Sequence, residues 1–278
     1  ASRTYSPAFA TRRFQVSSMP RTCVISSGGV LTRQRGTDPR GTRANERHAT
    51  SAPRTESGSR LVKIPAGRTH LEGALSVPPA AGGLVLFAHG SGSGRHSPRN
   101  QYVAGVLQQQ RLATLLFDLL TPAEDTDRAA RFDIPLLARR LIAACVWAQS
   151  QRELNGLPIG LFGASTGAAA ALIAAAELGD SVRAVVSRGG RPDLAPPEAL
   201  ARVRAPTRLI VGEWDREVLA LNRGAARHLR CEHDLVIVPG ATHLFEEPGT
   251  LEQAAVAARD WFVRYLPESA ATTSSSST

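Results

Sequence analysis

From residue 61 onward the chain alternates short apolar runs with longer stretches of helical period. Residues 61–64 and 70–77 predict two short strands across a Pro-Ala-Gly-Arg turn, an antiparallel edge. Apolar runs at 84–88, 112–116, 159–162, 182–186, 207–211 and 235–238 predict six further strands. Helices are expected at 100–110, 134–148, 168–176 and 219–229, and a last one at 251–266 closes the order. Asp133 precedes the second helix with Pro135 near its first turn, and Thr250 and Gln253 have capping-box spacing at the start of the last. Strands this apolar, separated by helices, predict a mainly parallel sheet covered on both faces. Functional residues are then expected at the carboxyl ends of strands. Residues 187–206 read as a loop too short for a large lid domain.

With 278 residues and 42% hydrophobic composition, the chain supports one large α/β core. Its formal charge of +9 is unevenly spread: residues 1–60 hold eleven Arg and three acidic residues, whereas residues 61–278 hold 22 basic and 21 acidic ones. The basic excess therefore argues for no nucleic acid at the core, although the leader alone is open to an acidic partner. Rich in Arg, Ser and Thr and without apolar period, residues 1–60 read as a basic disordered leader or processing segment. A transit sequence, an upstream extension and a binding arm all fit it, and Met19, the only methionine, is a candidate internal start. Residues 61–268 are expected to form the folded domain and 269–278 a polar disordered tail. No run of 18 apolar residues occurs, so no transmembrane segment is expected; the location is cytoplasmic, or organellar if the leader carries a transit peptide. Cys23, Cys145 and Cys231 are too scattered for a disulfide framework or a metal cluster.

The run Gly163-Ala164-Ser165-Thr166-Gly167 stands where a strand gives way to an Ala-rich helix. Glycines at both second neighbours permit a tight reversal that lifts the serine hydroxyl above the sheet, beside the first amides of the helix. Ser165 is thus a candidate nucleophile; the plainer alternative is that the glycines serve packing and Ser165 caps the helix. A serine hydroxyl needs a base at neutral pH, and His243, in Pro239-Gly-Ala-Thr-His243 after the last strand, is the candidate. Asp215, in Gly212-Glu-Trp-Asp215, is the carboxylate expected to orient it, with Glu213 as the weaker candidate and Glu246 or Glu247 as restraints on the His243 loop. Alone, each is as readily a turn, cap or solvated residue; their order at successive strand ends carries the catalytic reading. Oxyanion donors are expected from Thr166 N–H and from the loop His89-Gly-Ser-Gly-Ser-Gly94, with Ser91 N–H favoured and Gly90 next.

Arg188 or Arg191 is open to steering an anionic substrate or to pairing with Asp193 and Glu198. Phe132, Trp214 and Phe245 are open either to lining an apolar acyl pocket or to ordinary packing. A dinucleotide fingerprint beginning at Gly90 fails because Arg95 occupies its last glycine position, and no Gly-Lys-Ser/Thr follows for a phosphate loop. Lys63, the only lysine, leaves no lysine for Schiff-base chemistry in the core. His89, His96 and His243 lack the spacing of a metal site.

Together these motifs resemble the α/β-hydrolase superfamily, and within it the dienelactone-hydrolase-like branch, over residues 70–266. The correspondence rests on His89-Gly90, the Gly163-Ala-Ser165-Thr-Gly167 elbow, Gly212-Glu-Trp-Asp215-Arg-Glu-Val218 and Gly240-Ala-Thr-His243. It implies an α/β-hydrolase three-layer sandwich with N-terminal antiparallel edge strands, an open site without a large cap domain, and cofactor-free hydrolysis of a small acyl substrate. Dienelactone hydrolases proper carry cysteine where Ser165 stands, so the resemblance implies a general serine esterase acting on carboxylic esters or related acyl compounds through an acyl-enzyme. A non-catalytic scaffold or assembly subunit that keeps the fold is the alternative.

Overall fold

The apolar runs become strands because each can bury both faces of a single sheet between two helical layers. The structure, a computed structural model, describes residues 58–266. Residues 1–57 of the expected leader, the last two residues of the expected 61–268 domain and the expected tail at 269–278 lie outside them, and Arg60, expected in the leader, already belongs to the first strand. The strands are β1 (Arg60–Ala66), β2 (Thr69–Ser76), β3 (Gly83–Ala88), β4 (Leu112–Phe117), β5 (Ile159–Ala164), β6 (Val182–Arg188), β7 (Thr207–Gly212) and β8 (His233–Val238). They form one sheet in the order β1-β2-β4-β3-β5-β6-β7-β8. β1 pairs antiparallel with β2 and β2 with β4, and every later pairing is parallel.

The helices are α1 (Pro98–Gln108), α2 (Arg128–Arg131), α3 (Ile134–Ser150), α4 (Thr166–Leu178), α5 (Pro197–Arg202), α6 (Arg216–Ala226) and α7 (Thr250–Tyr265). Side chains alternate along β3: Leu84, Leu86 and Ala88 join the core under α3 and α4, while Val85 and Phe87 join the core under α1 and α7. That two-sided burial is why β3 to β7 read as unbroken apolar runs. β8 is different, for it is an edge strand and most of its residues are only partly buried.

The structure corrects four local expectations. α1 begins at Pro98, two residues earlier than expected, because Ser97 supplies the cap, its side chain accepting from Asn100 N–H at 3.4 Å. Part of the segment read as a loop at 187–206 is the short helix α5, anchored by buried Ala199 and Leu200. The four-residue α2 carried no periodic signal. No capping box forms at α7: Gly249 takes the N-cap position at φ 77°, and the Thr250 hydroxyl donates to Glu247 O at 2.7 Å.

The chain leaves β3 through α1 on one face and leaves β5, its neighbour in the sheet, through α4 on the other. Adjacent strands whose helices depart to opposite faces open a crevice at their carboxyl ends. The crevice is narrow at its floor, since a Cβ at Gly167 in α4 would lie 2.1 Å from Ala88 O and 2.5 Å from His89 O. Only glycine lets the first turn of α4 sit that close to the end of β3.

Gly167→Ala is therefore expected to destabilise the chain by about 3 kcal/mol or more, since backbone rather than a movable side chain must give way. Gly105→Ala, at a helical position of α1 where a Cβ meets nothing within 4 Å, is expected to stabilise it by about 0.5–1 kcal/mol. Urea unfolding of the two variants beside the wild type checks both signs.

Candidate active site

β5 ends at Ala164 and α4 starts at Thr166, so Ser165 alone turns the chain from strand to helix. Its backbone lies at φ 50°, ψ −122°, a conformation that costs a non-glycine residue about 1–3 kcal/mol and that its surroundings must hold. Three main-chain hydrogen bonds do so. Ser165 N–H donates to Arg188 O at 3.3 Å, and Ser165 O accepts from Ala168 N–H at 3.1 Å and from Arg191 N–H at 2.9 Å. The hydroxyl makes no capping bond to α4, which removes the reading of Ser165 as a helix cap.

Asp215 and His243 meet because two loops cross. A Cβ at Gly212, the last residue of β7, would lie 2.3 Å from Ala241 O and 2.7 Å from Thr242 O, so the loop after β8 folds directly over that strand end. Glu213 N–H donates to Val238 O at 3.0 Å, Trp214 N–H to Ala241 O at 2.9 Å, and Gly240 N–H to Glu213 Oε2 at 2.9 Å. On this base Asp215 Oδ2 lies 2.6 Å from His243 Nδ1, the short distance of a charge-assisted hydrogen bond. The Asp215 side chain is 13% exposed and that of His243 37%. Glu213, the weaker candidate for this carboxylate, accepts from Gly240 instead. Glu247 Oε2 accepts Thr242 N–H at 3.0 Å, and its bonds with Thr242 hold its carboxyl below the usual value, while Glu246 pairs with Arg99 at 3.3 Å.

Ser165 and His243 line one cleft of about 230 Å³, together with Gly90, Ser91, Arg99 and Arg188. No hydrogen bond joins Ser165 Oγ to His243 in this structure; such bonds are often long until a substrate is bound. Thr166 N–H, the first amide of α4, has no acceptor within its helix. Ser91 N–H donates to Thr166 Oγ1 at 3.0 Å, which ties the loop after β3 to the elbow, and a Cβ at Gly90 would lie 2.9 Å from Ser165 Cβ. Beneath this loop His89 Nε2 accepts Leu119 N–H at 2.9 Å, so Nδ1 carries the proton and donates to Gly90 O at 2.9 Å. Burial is the main reason its pKa falls below the ordinary value, outweighing the bond to Gly90.

The two arginines after β6 separate. Arg191 grips Asp193 through Nε and Nη2, both at 2.8 Å, whereas Arg188 turns to the cleft and donates Nη2–H to Asn100 Oδ1 at 3.2 Å. Trp214 is 61% exposed and Phe245 2% exposed, and neither they nor Phe132 form the cleft wall. Phe245 instead packs under Arg188, 5.6 Å from ring centroid to guanidinium. Sequence reasoning missed Arg99 and Asn100, though Ser97-Pro98 is a readable helix start that puts both in the first turn of α1. It also missed Asn222, whose Nδ2–H donates to Gly190 O at 2.9 Å and steadies the segment holding Ser165. Cys145 lies in the core under α3, where burial pushes its thiol up to about 12, and neither it nor Cys231 lines the cleft.

No family model matches the chain. A solved dienelactone hydrolase from Anabaena variabilis is 53% identical, with a TM-score of 0.74, over 76% of this chain and 100% of that one. The chain belongs to the dienelactone-hydrolase-like α/β-hydrolases. The fold of this chain is shared at lower identity by Est1E from Butyrivibrio proteoclasticus, 16% identical with a TM-score of 0.64 over 73% of this chain and 98% of that one. Relatives from two strains of Mycobacterium tuberculosis, named provisionally as phosphoribosyl transferases, are 58% identical over 205 residues, 74% of this chain and 46% of each relative. The chain thus spans about half the length of those relatives. Among its described residues no helix is long and apolar enough to cross a membrane.

Two consequences are measurable. Ser165→Gly is expected to raise unfolding free energy by about 1 kcal/mol, because glycine occupies this backbone region without strain; a loss would show that the hydroxyl contributes more than the conformation costs. A histidine with a depressed folded pKa contributes stability that is present above its ordinary value of 6.5 and is lost as pH falls through the folded value. Urea midpoints should therefore drop as the pH is lowered below 6.5, and His89→Asn should flatten that decline.

Proposed function

We propose that this chain is a serine hydrolase that cleaves carboxylic esters or related acyl compounds through an acyl-enzyme. The observation that carries the reading is the 2.6 Å contact between His243 Nδ1 and Asp215 Oδ2 on a loop pair that shares its cleft with a strained serine. In this reading Asp215 accepts a hydrogen bond from His243 Nδ1–H, which keeps its proton and leaves Nε2 free as the base. His243 Nε2 takes the hydroxyl proton of Ser165 as Oγ attacks the substrate carbonyl carbon, and the carbonyl π electrons move onto oxygen. Thr166 N–H and a second amide from Gly90 or Ser91 stabilise that oxyanion. The oxyanion is a stronger acceptor than the neutral Thr166 hydroxyl, so Ser91 N–H is drawn from Thr166 Oγ1 as charge develops. His243 then gives its proton to the departing alcohol, and water repeats the sequence on the acyl-enzyme.

His89 and Asn222 act here as supports, the first by fixing the Gly90 carbonyl and the second by fixing Gly190 beside the elbow. Among the substrate-binding candidates Arg188 is the one supported by its place in the cleft wall; Trp214 and Phe245 lack that support. The phosphoribosyl transferase name stays with the longer relatives, since the grouping at this cleft suits acyl chemistry.

Short-chain p-nitrophenyl esters test the proposal. Ser165→Ala is expected to lose turnover and fluorophosphonate labelling, and Asp215→Asn to lower kcat by roughly 10⁴ through the wrong imidazole tautomer. Retained turnover in Ser165→Ala would overturn the assignment of Ser165, and absence of turnover and labelling in the wild type would leave the scaffold reading in its place.

A further inference from the structure

The loop after β3 is gripped at both ends by the two residues that follow β4. At its start His89 Nε2 accepts Leu119 N–H at 2.9 Å. At its far end Arg95 N–H donates to Asp118 Oδ1 at 2.7 Å, and Arg95 Nη1–H donates to Asp118 Oδ2. Such a grip matters because Gly90, Gly92 and Gly94 alternate through the loop and Gly92 stands at φ 69°, so its own chain does little to fix its path. Between the two grips Ser91 N–H reaches Thr166 Oγ1 at 3.0 Å and Ser93 N–H reaches Gly90 O at 3.2 Å.

Two features separate Asp118 from an ordinary surface carboxylate. A Cβ at Gly94 would lie 2.7 Å from Asp118 Oδ1, so the absence of a side chain there is what lets the carboxylate reach the main chain of the loop. The carboxylate is also fixed from behind, by β2: Glu72 O accepts Asp118 N–H at 2.9 Å, and Glu72 Oε2 accepts Arg95 Nη2–H at 2.6 Å. With the Arg95 side chain 16% exposed and that of Asp118 26%, the pair is partly shielded from the water that weakens open surface pairs. Arg95, the residue that breaks the dinucleotide fingerprint, thus has a place of its own in this loop.

We infer that Asp118 is a positioning residue for the reaction at Ser165. Through Arg95 N–H it fixes the far end of the loop whose amide, at Gly90 or Ser91, meets the developing oxyanion. A donor stabilises that charge best when it stands in place beforehand, since a donor that must first be moved spends part of its effect on reorganisation. The inference rests on the acyl-hydrolase reading of Ser165 for the oxyanion, but not for the grip on the loop.

The first arm of the test measures p-nitrophenyl butyrate turnover by the full chain. Asp118→Ala is expected to lower kcat by about 10- to 100-fold with KM within about threefold, because displacing a donor forfeits part of what deleting it would. Asp118→Asn, which keeps an acceptor for Arg95 N–H, should recover part of that loss. The affinity of an alkyl trifluoromethyl ketone, whose adduct with Ser165 Oγ places a charged oxygen at the same donors, should fall in Asp118→Ala by the same factor as kcat/KM. Asp125 is the control: it lines the same cavity of about 250 Å³ beside His89 but pairs with Arg131. Asp125→Asn is expected to stay within about twofold of the wild type, as suits a half-exposed pair.

Wild-type kcat in Asp118→Ala overturns the inference, whether or not its urea midpoint falls, and so does a fall in kcat without a parallel loss of ketone affinity. An equal fall in Asp125→Asn overturns it as well, since the effect would then belong to negative charge near His89. The second arm is amide hydrogen exchange over residues 90–95, which needs no catalysis. Faster exchange in Asp118→Ala supports the grip, and unchanged exchange overturns it. Failure of the acyl reading shows instead as a wild type without turnover or fluorophosphonate labelling, and the exchange arm still decides whether Asp118 holds the loop.

Discussion

The carboxyl edge of the sheet depends on Ser165 being held in a backbone conformation that a serine does not adopt freely. The restraint comes from the next strand. Arg188 O and Arg191 N–H, which bracket the two glycines after β6, clamp the N–H and C=O of Ser165, and Ala168 N–H completes the set from α4. Asn222 holds Gly190 O from α6, so three elements distant in sequence share the cost of one turn. The same clamp orients Arg188, whose main chain supports the serine while its side chain enters the cleft beside it.

A second constraint is proximity. α4 reaches the end of β3 because Gly167 has no side chain, and the loop after β8 reaches the end of β7 because Gly212 has none. Each close approach brings a pair of functional segments together: the loop from His89 to Ser91 against the elbow, and His243 against Asp215. Neither contact is made by the groups that would do the chemistry. Glycines under the crossing points set the geometry, and hydrogen bonds such as Trp214 N–H to Ala241 O hold it.

How much of this was legible follows the range of the interactions. Apolar runs such as the one in β5 announce themselves, because a strand buried on both faces has no polar positions to blur it. Ser165, Asp215 and His243 were legible as candidates because strand ends are local features, and the resemblance to a hydrolase branch agreed with the family found by comparison. Arg188 was legible only as an ambiguous loop residue. What separates it from Arg191 is Asn100, 88 positions away, and no local pattern records that β6 ends where α1 begins. Likewise Thr250 and Gln253 have the right spacing for a capping box, but Gly249 moves the helix start by one residue and turns the threonine back to Glu247.

The proposed nucleophile and its proposed base stand on unequal foundations. Ser165 grows from β5, buried along its whole length and flanked by strands on both sides, whereas His243 follows β8, a margin of the sheet with half-open side chains and one neighbour. Local opening is easiest where few apolar contacts resist it. Fraying of that margin would withdraw the imidazole while the central strands stay intact, so heat is expected to part His243 from Ser165 before it unfolds the sheet.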